Sequence, residues 1–507
     1  MEGFNTYVLF LLVLIPFVGG TAVAFFPATA HRAIRIFSTV LAFLALALSI
    51  YVVAAYDYGA GDFQMTGGYR WLDAPLRISL SWGVDGISAP MVLLNGIVMA
   101  TGMLVNWEHT HRPKDFFVLF MWLVAGVYGV FIATDLFFLF FFYELALLPM
   151  YLLIGIWGSS TDFKTFLRTK EYGALKLMLM LMAGSVLIWV SIFGIYVVAA
   201  SEGYPTFSME TLNAIADAGL FTRNFQLIFF PLTAVGFGVL AGLWPFHTWS
   251  PDGHVAAPTA VSMVHAGVLM KLGAYGVIRV AVTILPEGAE SWAPLFIGLG
   301  TVNAVYGAIS AMGQTDLKYV VGYSSVSHMG LVIMGIFTLD HIGMTGAVLQ
   351  MFSHGVMTAL FFTLVGVVYH QAHTRDIRIL SGLGKRAGIL AALFVIVGLT
   401  SLGLPGLSGF VAEFLVFVGV FRTYLPLAVL GIIAAAITAV YIMRLLAKVF
   451  FGPLDDRWKG LHEISRRELI AASILVLTIV FVGIYPTPLI NVINPGVAAL
   501  LARIPGL

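Results

Sequence analysis

Long apolar runs, each of about 20 residues and separated by short polar segments, dominate the sequence. A run of this length spans the hydrocarbon core of a bilayer as a helix, and the short alternating pattern of barrel strands is absent. Because unpaired backbone groups cannot face lipid, the pattern predicts a helical membrane bundle. We count about 14 spans: 6–26, 32–56, 85–106, 115–134, 136–157, 171–200, 224–247, 256–284, 291–313, 317–338, 341–371, 386–421, 423–451 and 468–490.

The distribution of positive charge predicts the orientation of these spans. The loops and adjoining span ends after odd-numbered spans hold 18 lysines and arginines, Lys164 among them. The opposite side holds only five, which are Arg70, Arg77, Arg223, Arg422 and Arg503. Since cytoplasmic loops are enriched in lysine and arginine, both termini are predicted to lie outside the cytoplasm.

Composition agrees with a membrane protein and excludes several kinds of site. Hydrophobic residues make up 60% of the 507 residues and charged residues only 10%, far below the charged fraction of a soluble domain. The chain has no cysteine, so disulfides, thiolate metal sites and cysteine-bound iron–sulfur clusters are excluded. A net charge of +1 without a basic patch argues against a nucleic-acid partner. No nucleotide loop, flavin motif or metal constellation is evident, so we expect no cofactor and no redox centre in this chain.

Ionisable residues inside the apolar runs are the candidates for chemistry, because a charge at membrane depth is costly and usually has a partner or a wet cavity. Glu144 lies within "FFLFFFYELALLPM", where it could serve a proton path or be a buried protonated carboxyl. Lys176 is close enough to the cytoplasmic end of its span to snorkel to the interface instead. Lys271 lies deeper, and a buried lysine that can lose its proton is a natural proton carrier.

Two successive spans add histidines to this set. "DLKYVVGYSSVSHMG" carries Lys318, Ser324 and His328, and the spacing places Ser324 and His328 on one helix face. "FSHGVMTALFF" adds His354 in the next span. A single membrane histidine is more often a packed residue than a relay, but histidines in adjacent spans favour a relay.

Two prolines predict broken helices. Pro405 lies in mid-span before Glu413, and Pro245 precedes His247 in "GVLAGLWPFHTWSPDGH". Proline removes a backbone donor, so a broken helix requires a cavity that satisfies the freed carbonyls. Interruptions at corresponding positions in two halves indicate an internal repeat. We therefore predict an all-α integral membrane protein with about 14 transmembrane helices, two inverted five-helix repeats and breaks in helices 7 and 12.

Long, ordered motifs carry a family resemblance from about residue 80 to 490. They include "FFYELALLPMYLLIGIWG", "PFHTWSPDGHVAAPTAVSMVHAGVLMKLGAYGVIR", "DLKYVVGYSSVSHMG", "FSHGVMTALFFTLVGVVYHQAHTRDI" and "LPGLSGFVAEF". Together they resemble the chain M/chain 4 family of bacterial NADH-quinone oxidoreductase, respiratory complex I, whose members are antiporter-like membrane subunits. Glu413 fits this family, since sister subunits carry lysine in the twelfth helix.

The resemblance implies a proton-translocating subunit that couples quinone reduction to proton transfer across the bacterial inner membrane. Flavin, iron–sulfur clusters and quinone would belong to partner subunits. The protein partners would be other membrane-arm subunits, above all the sister antiporter-like ones. The chain would also contact lipid, water and protons. The alternatives are a subunit of a related cation/proton antiporter or membrane-bound hydrogenase, or a scaffold that does not conduct.

The resemblance also implies residue roles and a division of the chain. Glu144 would be the coupling carboxylate of the fifth helix, Lys271 the central lysine and Glu413 the carboxylate on the exit side. The connecting and supporting positions would be His328, His354, Lys176 and Lys318. The implied regions are 1–114 with three helices and an external loop, 115–284 and 291–452 as the two repeats, and 453–507 with the last helix.

One departure from the family concerns the partner of Glu144. Relatives carry a lysine before the "PFHTW" motif that pairs with the fifth-helix glutamate, and alignment on Pro245 places Leu240 there. No ionisable residue lies between Phe225 and Trp244. Either Lys176 or another amine pairs with Glu144, or water and His247 serve, or the subunit couples weakly or not at all.

Overall fold

Nineteen α-helices form the described part of the chain, for which a computed structural model gives residues 2–108, 111–162 and 167–505. Lys164 lies outside these residues. The helices are α1 Glu2–Ala24, α2 His31–Ala54, α3 Ser88–Val105, α4 Pro113–Ile132, α5 Leu136–Trp157, α6 Lys170–Ser201, α7 Met209–Asp217, α8 Arg223–Ala241, α9 Trp249–Ala256, α10 Thr259–Val264, α11 Met270–Gly276, α12 Pro286–Gly313, α13 Leu317–Ile336, α14 His341–Ala372, α15 Gly388–Ser401, α16 Ser408–Thr423, α17 Leu425–Leu446, α18 Arg466–Ile484 and α19 Thr487–Leu501. The strands are β1 Gln64–Leu72, β2 Ile78–Val84, β3 Thr161–Asp162 and β4 Leu167–Arg168.

Thirteen helical segments of the described chain are long and apolar enough to cross a membrane. The predicted span 386–421 is absent from that set because it is divided between α15 and α16, each too short to cross alone. This divided helix and the thirteen segments together make 14, which is the predicted number of spans. The all-α membrane fold is therefore confirmed, while the inverted relation of the two halves stays a prediction.

Both predicted helix breaks are present. Helix α8 ends at Ala241, and Gly242 follows with φ +76° before the chain resumes as a 3₁₀ turn and α9. Between α15 and α16, Gly403 and Gly406 have φ +73° and +92° on either side of Pro405. L-residues with a Cβ rarely adopt this left-handed conformation, so glycine ends each half-helix where the nearby proline prevents its continuation.

The centre of the bundle is a trio of helices. The apolar windows of 259–282 and α14 are fully buried, and that of α13 is 94% buried. By contrast, the corresponding windows of α2 and α18 are only 33% and 28% buried. Since peripheral helices face lipid with most of their surface, the ionisable residues of the central trio are shielded by protein on all sides.

Two elements add to the predicted fold. The region 57–84, expected only as an external loop, contains an antiparallel hairpin of β1 and β2. Beyond the last predicted span, α19 packs against the turn before α3, where a Cβ at Gly86 would collide with the backbone of Val492 and Gly496. The hairpin was missed because its glycines and aromatic residues obscure the alternation, and α19 because Pro495 interrupts a short apolar run.

Asp135 joins the hairpin to the transmembrane bundle. Its carboxylate caps α5 by accepting from Phe137 N at 2.9 Å, and it accepts from Ser79 N of β2 at 3.2 Å. Burial raises the pKa of Asp135 from 3.8 to about 6, although the backbone N–H groups of Ser79, Phe138 and Phe137 oppose the change. The charge on the carboxylate that connects the hairpin to α5 therefore depends on pH.

Asp135→Asn should remove this pH dependence. The folded protein binds the Asp135 proton more tightly than the unfolded chain, so the free energy of unfolding falls as the pH rises from about 4 to about 6. We expect the difference between the thermal unfolding midpoints, variant minus wild type, to increase as the pH is raised from 4.5 to 8. Asp73→Asn, in the exposed turn of the hairpin, is the control. A constant difference between Asp135→Asn and wild type over this range would contradict the assignment.

Candidate functional site

Lys271 occupies the most deeply buried position of the site. It lies on α11, between two π-helical segments, His265–Leu269 and Val277–Val282. The side chain is fully buried, and its Nζ donates to the backbone oxygen of Ala266, five residues earlier. The wider π turn places this carbonyl within reach of the amine, and such segments are frequent at functional sites.

A histidine continues the polar path from Lys271. The Nζ of Lys271 lies 2.7 Å from Nδ1 of His354 on α14. Since an ammonium group can only donate, a charged Lys271 requires Nδ1 of His354 to accept and its proton to lie on Nε2. This Nε2 is buried and has no hydrogen-bond partner in the described residues. The pair is thus arranged to pass one proton between amine and imidazole.

His328 on α13 is the next group along this path. Its ring stacks on the ring of His354, with centroids 5.2 Å apart. Nδ1 lies 2.7 Å from the carbonyl oxygen of Ser324, and Nε2 lies 3.2 Å from that of Ser401. Carbonyl oxygens only accept, so both contacts are hydrogen bonds when both ring nitrogens carry a proton, as in an imidazolium.

Glu413 balances the charge of His328 and ends the path. Its Oε1 lies 3.3 Å from Nε2 of His328 and 3.4 Å from Nε2 of Gln350. The second carboxylate oxygen occupies the space that a Cβ at Gly403 would fill, at 2.9 Å. The helix break therefore provides both the room for Glu413 and the free carbonyl of Ser401 that orients the imidazolium.

Lys318 lies where α9 ends and α10 begins. Its Nζ donates to the carbonyl oxygen of Ala257 at 2.6 Å and lies 3.4 Å from that of Val255, at the carboxyl end of α9. A cavity of about 540 Å³ reaches this lysine and is also lined by Glu108 and His111. Lys318 thus joins an open cavity to the interior of the bundle.

Two histidines that sequence reasoning did not single out fill the space between Lys318 and Lys271. The rings of His254 and His265 lie 4.0 Å apart, and both residues are fully buried. Nε2 of His254 is 3.0 Å from the hydroxyl of Ser250, and both ring nitrogens of His265 lack partners among the described residues. His254 directly precedes Val255, whose carbonyl oxygen lies 3.4 Å from Nζ of Lys318. The sequence could have indicated His265 through its position six residues before Lys271 in the same span.

Lys176 is held by Asp252 rather than by Glu144. Its Nζ lies 2.7 Å from Oδ2 of Asp252, while Arg168 and the hydroxyl of Tyr319 bind Oδ1. The carboxylate is 4% exposed, so it is a buried anion shared by two cations. This cluster excludes the interpretation that Lys176 replaces the family lysine.

Glu144 instead accepts a hydrogen bond from Ser185 on α6, at 2.6 Å. It lines an open groove of about 380 Å³ between α5 and α6, whose other walls are mainly aromatic and aliphatic. Leu240 is buried, and no ion pair of Glu144 occurs among the described residues. His247 contacts the ring of Tyr306, and its two nitrogens lack partners within the described chain. The structure therefore does not bring His247 or Lys176 to Glu144.

Comparisons of sequence place these features among known proteins. The family described as "NADH:quinone oxidoreductase/Mrp antiporter, TM" matches residues 133–438, which include both helix breaks. NAD(P)H-quinone oxidoreductase chain 4 1 of Synechococcus sp. (strain JA-3-3Ab) is 36% identical over 507 residues, covering 97% of this chain and 92% of that protein. NADH-quinone oxidoreductase subunit M of Pseudomonas aeruginosa is 35% identical over 495 residues, covering 95% of each.

Solved structures give the same architecture. A chain of respiratory complex I from Thermus thermophilus with bound NADH matches with a TM-score of 0.87 and 26% identity, over 98% of this chain and 100% of that chain. A chain of the Mrp complex from Dietzia sp. DQ12-45-1b matches with a TM-score of 0.83 over 99% of each chain. Its identity is only 17%, so this second likeness concerns the fold.

Asp252→Asn should destabilise the protein. The substitution leaves Arg168 and Lys176 without their counter-charge, and breaking a buried ion pair costs about 3 kcal/mol or more. The thermal unfolding midpoint of the purified protein should fall clearly. Asp455→Asn is the matched control, because the Asp455–Arg457 pair is exposed and such pairs contribute at most about 1 kcal/mol. Equal midpoints for the two variants would contradict a structural role for Asp252.

Proposed function

Because the chain belongs to the NADH:quinone oxidoreductase/Mrp antiporter transmembrane family, we propose that it is the proton-translocating membrane subunit of a complex I-type NADH-quinone oxidoreductase. Family membership confirms the resemblance drawn from the motifs. The observation that carries the function is a set of buried ionisable groups, of which the last four contact one another in order: Lys318, His254, Lys271, His354, His328 and Glu413. Such groups are rare inside membrane segments and mark ion pathways.

Proton uptake starts at the cavity that reaches Lys318. The excess of positive charge in the flanking loops supports a cytoplasmic location for this side, which would put both termini on the opposite side. Lys318 is anchored by carbonyl oxygens at the end of α9, next to His254, whose ring lies 4.0 Å from that of His265. Water in the spaces beside the unpartnered nitrogens of His254 and His265 would connect these groups.

Transfer through the centre uses the contact between Lys271 and His354. A proton that leaves Nζ for Nδ1 produces a neutral amine and frees the lysine to accept the next proton from the uptake side. The positive ring of His354 then faces the imidazolium of His328, whose charge is balanced by Glu413. Repulsion between the two rings favours transfer of the Nε2 proton of His328 to Glu413, after which the neutral His328 accepts the proton of His354 and completes the transfer.

Glu144 would couple this path to the rest of the complex. It faces an open groove rather than the central trio, so a charge brought to the groove by a sister subunit would change its electrostatic environment. Opposite charges about 4 Å apart interact by roughly 4 kcal/mol at an effective dielectric near 20. Redox energy released in partner subunits, which would hold the flavin, iron–sulfur clusters and quinone, would act on the proton path through such a change. The regions 115–284 and 291–452 would then be the two inverted repeats.

His354→Gln tests the path, with His247→Gln as the matched control. Both histidines are buried, but only His354 contacts Lys271. We expect proton transfer through the chain to slow by about 100-fold or more in His354→Gln, as for loss of a general acid–base group. In proteoliposomes, protons moved per electron pair should fall for the assembled complex and remain at the wild-type value in His247→Gln.

Other outcomes of this test separate the alternatives. Wild-type proton stoichiometry in His354→Gln would favour a scaffold that does not conduct, a reading supported by the lack of an amine at Glu144 in the described chain. Sodium-dependent proton flux without any electron donor would favour a cation/proton antiporter.

Glu144→Gln should lower the number of protons moved per electron pair. The substitution preserves the hydrogen bond from Ser185 but removes the charge that responds to a neighbour. Ser185→Ala, which removes that bond and retains the carboxylate, separates the role of the charge from that of the contact. Unchanged stoichiometry in Glu144→Gln would remove this residue from the mechanism.

A further inference from the structure

A groove of about 600 Å³ lies between α15 and the helical segment Ala447–Phe451 that follows α17. One wall is a face of small residues at helical spacing, Gly388, Ala391, Ala392 and Val395. The other wall is formed by Phe450 and Phe451, and Phe451 is 66% exposed. Because both helices lie in predicted spans, the groove is an apolar channel that opens toward lipid.

Positive side chains lie on both elements that form this groove, at the end that we take to be cytoplasmic. Lys385 lines it, and Arg444 and Lys448 precede Phe451 by seven and three residues on the same helix. The turn before Lys385 packs on this helix, since a Cβ at Gly384 would lie 2.9 Å from Phe450 O. All three basic residues are exposed, and none has an ion pair or side-chain hydrogen bond in the described part of the chain.

The acidic groups near the mouth are already engaged. Asp455 pairs with Arg457 and Asp456 pairs with Lys459, in each case within the 452–467 loop. Glu463 accepts the backbone N–H groups at the start of α15, Ile389 and Leu390, both at 3.0 Å. The positive charge at the mouth therefore lacks a counter-charge among the described residues.

We propose that this groove binds one phospholipid with an anionic headgroup. Lys385 and Lys448 hold the headgroup at the membrane surface, and an acyl chain lies along the small-residue face of α15. A basic mouth above an apolar groove matches the order of charge and hydrocarbon in such a lipid, and basic pockets between helices on the cytoplasmic side favour it. The narrow Gly/Ala face admits a chain without displacing side chains.

The bound lipid would support the half-helix that orients His328. Helix α15 ends at Ser401, whose carbonyl accepts from His328, and α15 faces lipid along the groove. An acyl chain packed along this face therefore limits lateral movement of the half-helix. This role is independent of whether the chain conducts protons.

A photoreactive phosphatidylglycerol in proteoliposomes tests the site in the assembled complex. The label on its acyl chain should cross-link to peptides containing 388–396 or 450–451 in the wild type. Lys385→Glu with Lys448→Glu should reduce this yield by at least about fivefold for each reversed charge. Ala392→Trp, which retains both lysines and fills the groove, should abolish it. Lys114→Glu with Arg466→Glu, two charges elsewhere on the same side, is the matched control and should preserve it.

The competing lipids decide the assignment. Excess unlabelled phosphatidylglycerol should suppress the cross-link, whereas excess phosphatidylcholine should not. Equal labelling by a phosphatidylcholine probe, or an undiminished yield in the double lysine variant, would overturn the proposal. A cross-link that instead joins this surface to a partner subunit would assign the groove to a protein contact and would also overturn it.

Discussion

A positive side chain contacts the last carbonyls of two short helices in this bundle, α9 and α15. Lys318 donates to Ala257 at the end of α9, and His328 donates to Ser401 at the end of α15. The carboxyl end of a helix carries a partial negative charge and carbonyls without intrahelical partners. Ala257 and Ser401 are both buried, so each cation stabilises the helix end that it contacts.

Both cations come from one helix, and this arrangement links the two halves of the site. Helix α13 carries Lys318 near its start and His328 ten residues later. Between the two contacts lie the lysine and histidines of 259–282 and α14, in the part of the bundle most completely shielded from lipid. The polar path therefore uses the same interactions that stabilise the fold, and a proton that moves along it changes the charge on the groups that contact these helix ends.

The sequence predicts most of this centre because each of its residues is an ionisable group isolated in an apolar run. Lys271, His354, His328 and Glu413 stand out for this reason, and Pro245 and Pro405 mark the breaks. Their order along the path follows from the packing of three separate helices, which the pattern along the chain does not contain.

Other contacts were beyond sequence reasoning. Asp252 lies in a polar stretch where a carboxylate draws no attention, and its capture of Lys176 results from the packing of α9 against α6. His254 and His265 were overlooked because their importance comes from the close contact between their rings. Ser185 became the partner of Glu144 because α6 brings a hydroxyl to the groove, and a serine in an apolar helix carries no distinct signal.

The separation of Lys318 and His328 imposes a rule on how this chain can change length during evolution. Ten residues of helix rise about 15 Å, and one inserted residue would rotate one of the two side chains by about 100° away from its carbonyl. Insertions between these positions are therefore excluded, although single substitutions of the residues between them are not. The hairpin turn at 73–77 carries no such constraint, because it is exposed and holds no break. Variation in length should accumulate at that turn, while the interval 318–328 keeps a fixed number of residues.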